Sequence, residues 1–139
     1  MNILVIDGMG GGLGKSVVEL LRERLPDVRV TAVGTNSLAT SAMLKAGAHV
    51  GATGENAVVY NSTQADVIIG AMGILLANAM HGEISPRMAE AIGGSAAQKM
   101  LIPIGKCSLT IAGLTQKPLA AYIDELIEKL ILTKDEKSV

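Results

Sequence analysis

The sequence predicts an α/β domain, a doubly wound and mainly parallel sheet wrapped by helices. Three observations carry this. Apolar runs of strand length alternate with segments of helical period, the pattern left by parallel strands joined through crossover helices. A cluster of glycines follows the first strand directly. The apolar fraction is 49%, with two Tyr and no Phe or Trp, so the core is built from Ala, Val, Ile, Leu and Met.

Residues 3–7 form strand one, β-branched and unbroken up to the glycines. Helix one follows, with Val17, Leu21 and Leu25 at i, i+4 and i+8 and Val18 beside them, one apolar face of a helix. Arg22, Glu23 and Arg24 cover its outer side, and Pro26 ends it. Residues 28–33 are strand two, closed by Gly34. Asn36 or Ser37 caps helix two, whose inward face reads as Leu38, Ala42 and Ala46, with Gly47 just past its end.

Residues 49–52 give a short third strand. Residues 57–61 read as a helix, although Val58-Val59-Tyr60 also suits a strand. Residues 67–71 form strand four, opened by Asp66 and closed by Met72-Gly73, and residues 74–84 carry no clear period. Ser85-Pro86 is a helix start, an N-cap with proline in the first turn, and Gly93-Gly94 is the stop. Residues 100–104 are strand five and residues 107–112 strand six. Only Gly105-Lys106 lies between them, too short for a crossover, so strand six is expected antiparallel at the sheet edge. Pro118 opens the last helix, with Leu119, Tyr122, Ile123, Leu126, Ile127 and Leu130 inward. The expected strand order is 3-2-1-4-5, in a single domain over residues 1–133 with a disordered charged tail at 134–139.

The formal net charge is −1 and the isoelectric point about 6.1, which offers nothing to a polyanion. So few aromatic rings leave no stacking platform for single strands, and no nucleic-acid partner is expected. A basic leader region and a spanning apolar stretch of ~20 residues are both missing, so no membrane partner is expected. The lone Cys107 suits a reducing compartment, and the expected location is cytoplasmic. The mean hydropathy of +0.41 has two readings. One is a buried self-interface, hence a homo-oligomer; the other is a parallel sheet covered on both faces.

The informative segment runs Val5-Ile6-Asp7-Gly8-Met9-Gly10-Gly11-Gly12-Leu13-Gly14-Lys15-Ser16. A helix N-terminus carries unpaired N–H groups and a partial positive charge, and glycines let a phosphate approach it. Gly8, Gly12 and Gly14 give the spacing G-x-x-x-G-x-G, which resembles the cofactor loop of short-chain dehydrogenases and implies a Rossmann-like nucleotide site. Gly14-Lys15-Ser16 looks like the end of a P-loop, yet Met9 stands where that loop needs glycine, and no strand ends in a Walker B-type acid. A structural role in close strand-helix packing is the remaining alternative.

The end of strand two, Thr35-Asn36-Ser37, is polar and uncharged, so it does not select NAD over NADP. Gly70-Ala71-Met72-Gly73, ending strand four, resembles the segment past which short-chain dehydrogenases run the cofactor's ribose. The resemblance implies an NAD- or NADP-type dinucleotide held by residues 8–14 (Gly8, Met9, Gly10, Gly11, Gly12, Leu13 and Gly14), with Thr35, Asn36, Ser37 and the strand-four glycine segment. It stops at the chemistry. Those enzymes use Tyr-x-x-x-Lys, whereas Tyr60 is followed by Gln64 and Tyr122 by Leu126.

His81 and Glu83, in the loop after strand four, are the candidates for general acid–base work. Glu55 and Asn56, after strand three, are candidate ligand contacts or helix caps. Two separated histidines and one cysteine do not make a metal site.

Across nearly its whole length the chain resembles a family of short, uncharacterised bacterial proteins with a Rossmann-like fold. Asp7-Gly8-Met9-Gly10-Gly11-Gly12-Leu13-Gly14, Gly34-Thr35-Asn36-Ser37-Leu38-Ala39-Thr40 and Ala52-Thr53-Gly54-Glu55-Asn56-Ala57 carry the likeness. Gly82-Glu83-Ile84-Ser85-Pro86 and Leu101-Ile102-Pro103-Ile104 add to it. The expected function is nucleotide or dinucleotide binding, as an oxidoreductase or a cofactor sensor. The alternative is a non-catalytic regulatory or oligomeric module on the same fold.

Overall fold

The structure is a computed structural model that describes residues 1–9, 12–105 and 108–137. Its centre is a five-stranded sheet of β1 (Asn2–Asp7), β2 (Arg29–Gly34), β3 (Val50–Thr53), β4 (Val67–Ala71) and β5 (Gln98–Ile102). The spatial order is β3-β2-β1-β4-β5, and every pairing is parallel. The helices are α1 (Gly12–Arg24), α2 (Ser37–Lys45), α3 (Glu55–Ser62), α4 (Pro86–Gly93) and α5 (Leu119–Lys137), and a 3-10 turn, Met72–Leu75, follows β4.

Side chains of a strand point alternately to opposite faces, and β1 divides accordingly. Ile3 and Val5 join Val17, Val18 and Leu21 of α1, Met43 of α2, and Ile123, Ile127 and Leu130 of α5 on one face. Leu4 and Ile6 join Val58 of α3, Ile74, Ile84, and Met88 and Ile92 of α4 on the other. Both faces are covered, so this is a doubly wound, Rossmann-like fold. Among the described residues, no helix is long and apolar enough to cross a membrane.

Several expectations are corrected. The antiparallel strand six is not formed: residues 108–112 have no strand structure and are exposed, while Lys106 and Cys107 lie outside the described residues. The cause sits at the end of β5. Pro103 brings no N–H to a ladder, and the Ile104 N–H donates to the Ile102 carbonyl at 2.9 Å, a tight turn that leads the chain off the edge. The same proline sets β5 at residues 98–102, two residues before the expected span.

The tail is not irregular through its length. α5 continues to Lys137, because residues 134–137 contain no glycine or proline to stop it, and Ser138 and Val139 lie outside the described residues. The α2 face is also rotated. Ala39, Thr40 and Met43 are buried and Leu38 is 73% exposed. Thr40 sets that rotation: its hydroxyl accepts from the Gly34 N–H at 3.2 Å and lies 3.1 Å from the Ala52 carbonyl and 2.7 Å from the Thr53 hydroxyl. Residues 55–62 are helical, which resolves the ambiguity at Val58-Val59-Tyr60.

Candidate functional site

The C-terminal ends of β1, β2 and β4 meet at one edge of the sheet, the place where doubly wound folds take ligands. β1 ends in Asp7, which is buried. Its carboxylate accepts the Gly8 N–H at 2.9 Å and the Gly14 N–H at 2.6 Å, so it closes the glycine loop and caps the first turn of α1. Burial raises its pKa above the ordinary carboxylate value; the two N–H donors pull the other way, and the negative charge of Glu83 adds to the rise.

The glycines of this loop divide by what surrounds them. A Cβ on Gly14 would stand 2.6 Å from the Met43 sulfur and 2.8 Å from Asp7, and one on Gly8 would stand 2.6 Å from the Thr35 hydroxyl and 2.7 Å from the Met80 sulfur. Both are needed for packing. A Cβ on Gly12 would have nothing within 4 Å. Met9 is exposed with a φ of 54°, Leu13 is half-buried, and Gly10 and Gly11 lie outside the described residues.

The second wall is the start of α2. Asn36 is its N-cap, accepting the Ala39 N–H at 2.9 Å. The Asn36 amide donates to the Met9 carbonyl at 2.9 Å and to Glu83 Oε1 at 2.7 Å, and the Thr35 hydroxyl donates to the same Glu83 oxygen at 2.6 Å. These two side-chain bonds are the main reason that the Glu83 pKa is lowered, and the Met9 N–H and the charge of His81 act in the same direction. Ser37 opens α2 and is exposed.

Gly70 at the end of β4 is a close-packing position, since a Cβ there would stand 2.8 Å from the Ile6 carbonyl oxygen. Ala71 and Gly73 are buried and Met72 half-buried. From there residues 76–84 form a strap that returns across the sheet edge, held by bonds such as Ile84 N–H to the Ala79 carbonyl at 3.1 Å. Asn78, Met80 and His81 have φ of 68°, 57° and 55°, a conformation uncommon for residues other than glycine. The strap brings Glu83 to the end of β2 and Met80 over Gly8. His81 is exposed at its tip.

Glu55 stands apart from this cluster. It accepts from the Ser85 hydroxyl at 2.5 Å and pairs with Arg87 at 3.7 Å, tying the starts of α3 and α4 together. Asn56 is exposed on α3. Asp7, Thr40 and Met80 were not expected in the site region. Asp7 was the legible one, as the carboxylate that ends the first strand.

Two carboxylates therefore line an edge that was expected to receive a pyrophosphate, and one of them already uses an N–H of the helix start. Two cavities lie away from this edge. One, of about 480 Å³, runs beside β5 between residues 98–103, Leu114 and α5. The other, of about 250 Å³, borders Asn2, Arg29, Val50 and Tyr60.

No curated protein matches the chain. A solved structure of a dodecameric FMN-dependent UbiX-like decarboxylase from Escherichia coli O157:H7 is similar at 16% identity and a TM-score of 0.44, over 91% of this chain and 75% of that one. The expected NAD or NADP dinucleotide is corrected on this finding, because that neighbour is FMN-dependent. The family model described as Domain of unknown function (DUF3842) matches residues 2–134, and the chain belongs to that family.

Proposed function

We propose that the chain binds a ribose-bearing mononucleotide at the ends of β1 and β2, with the sugar hydroxyls on Glu83 and the phosphate against the first turn of α1. The observation that supports it is the Glu83 carboxylate, delivered by the strap to the end of β2 and kept ionised by Thr35 and Asn36. An acid at this strand end is what a ribose diol requires. The sequence of β2 lacks one; the strap supplies it from 48 residues away in the chain. A carboxylate offers about four acceptor positions, and Thr35, Asn36 and Met9 use three, which leaves room for a hydroxyl. Gly12, open on its side-chain face, leaves a phosphate free to approach the helix start. Glu83 is a binding group in this reading, and neither it nor His81 is assigned a catalytic step.

A non-catalytic module is the second reading, and two contacts favour it. Asp7 occupies the Gly14 N–H, and the Met80 sulfur covers Gly8. The strap is then a permanent closure.

Thermal-shift and calorimetric titrations with AMP, GMP, CMP, FMN, adenosine and 2′-deoxy-AMP separate the two. A ligand at 100 times its Kd adds about 2.7 kcal/mol. Under the first reading one mononucleotide binds, its 2′-deoxy form binds more weakly, and Glu83→Gln removes that difference. Gly12→Leu should weaken the nucleotide more than the nucleoside. If none of these ligands shifts a well-folded sample, the mononucleotide reading is wrong and the module reading stands.

A further inference from the structure

We infer that the outer edge of β5 receives an extended strand from a second copy of this chain, contributed by residues 108–112. β5 pairs with β4 along Gln98–Ile102, and among the described residues no strand lies on its other side. The cavity of about 480 Å³ is touched by six consecutive residues, 98–103. Side chains of a strand alternate between faces, so a space that meets every residue of the run lies along the strand's edge. It is a slot beside the backbone, with Leu114, Tyr122 and Leu126 on the far wall.

Such an edge is normally guarded by charge or proline. Pro103 stands at the end of the slot, and the charges that line it are already engaged: Lys99 Nζ donates to the Ser95 carbonyl at 2.7 Å, and Lys117 and Lys129 pair with Glu125. Residues 108–112 read Ser-Leu-Thr-Ile-Ala: uncharged and alternating, with two β-branched residues, Thr110 and Ile111. In one copy they have no partner strand, and Leu109, Ile111 and Leu114 are 44%, 47% and 41% exposed. The turn at Ile102–Ile104 ends the ladder, and in the single copy residues 108–112 form no strand with their own β5; the acceptor in this proposal is the β5 of another copy.

Exchange about a two-fold axis makes each copy both donor and acceptor. Two five-residue strands with their flanks remove on the order of 800 Å² per copy, which is what a standard interface buries per partner.

Sedimentation velocity and amide hydrogen exchange test this on the full chain. The wild type should be dimeric, or an even multiple, with the amides of residues 109–112 slowed about 100-fold. Leu109→Asp with Ile111→Asp should give a folded monomer with those amides unprotected, because both side chains are exposed in the single copy. Thr110→Pro, which removes a ladder N–H from an irregular segment, should do the same. Leu38→Asp, on the exposed side of α2, should leave the assembly intact. A wild type that is monomeric at every concentration overturns the inference. So does an assembly that survives the double variant, or protection of these amides in a monomer, which would place the strand on its own β5.

Discussion

Asn36 does three things at once: it caps α2, holds the Met9 carbonyl and donates to Glu83. Asn36→Asp keeps the cap acceptor but removes both donors and sets a carboxylate beside Glu83. The expected loss is about 1–3 kcal/mol in chemical denaturation, in the range for a broken hydrogen bond to a charged group. Asp7 and Glu83 respond to pH in opposite senses. The folded pKa of Asp7 is raised, so its titration favours the fold below the ordinary value of 3.8, an advantage lost as pH rises through the folded pKa. The folded pKa of Glu83 is lowered from 4.5, so its contribution is present above that value and fades as pH falls through the folded one. Asp7→Asn should therefore remove a stabilisation that the wild type gains on mild acidification. Glu83→Gln should flatten the decline at lower pH. Unfolding midpoints measured across the acid range check both; equal slopes in all three proteins would contradict the assignment.

At the scale of elements, two glycines make opposite predictions. A Cβ on Gly34 would stand 2.5 Å from the Thr40 backbone nitrogen and 2.6 Å from the Asn36 carbonyl oxygen. Backbone cannot yield as a side chain does, so Gly34→Ala should destabilise by about 2–4 kcal/mol, within the overpacking range and its upper tail. Gly12→Ala, at the open start of α1, should be neutral or stabilise by up to about 1 kcal/mol. Urea unfolding of both variants measures the contrast. The glycine motif alone does not separate them, because spacing marks a turn without saying what stands behind each residue.

The same limit explains what else was legible. Period and caps set out four of the five helices and the five parallel strands, because α1, α5 and the buried strands bury residues at fixed intervals; α3 stayed open to a strand reading at Val58-Val59-Tyr60. The rotation of α2 was hidden, since it depends on Thr40 bonding to Gly34, Ala52 and Thr53, contacts distant in sequence. The role of the strap was hidden too. Residues 74–84 have no period because Asn78, Met80 and His81 take a left-handed backbone that pattern reading does not anticipate.

For the whole molecule, the high mean hydropathy has one part explained by a sheet covered on both faces. The other part is exposed apolar surface, of which Leu109, Ile111 and Leu114 lie in the segment after β5 and Leu38, Leu44, Val50 and Tyr60 elsewhere. If copies exchange strands at β5, the thermal midpoint should rise with protein concentration, as it does for any assembly that exists only in the folded state. The Leu109→Asp, Ile111→Asp protein should show a midpoint independent of concentration. A concentration-independent wild type would leave the exposed surface without this explanation.

The first strand of the chain is also the middle strand of the sheet, paired with β2 on one side and β4 on the other. During synthesis it leaves the ribosome long before its second neighbour exists. Residue 67, where β4 begins, follows the end of β1 at residue 7 by 60 residues, roughly 3–12 s at 5–20 residues per second. For that interval an apolar strand has one edge without its partner, so the sheet closes around its oldest strand only after half the chain has been made.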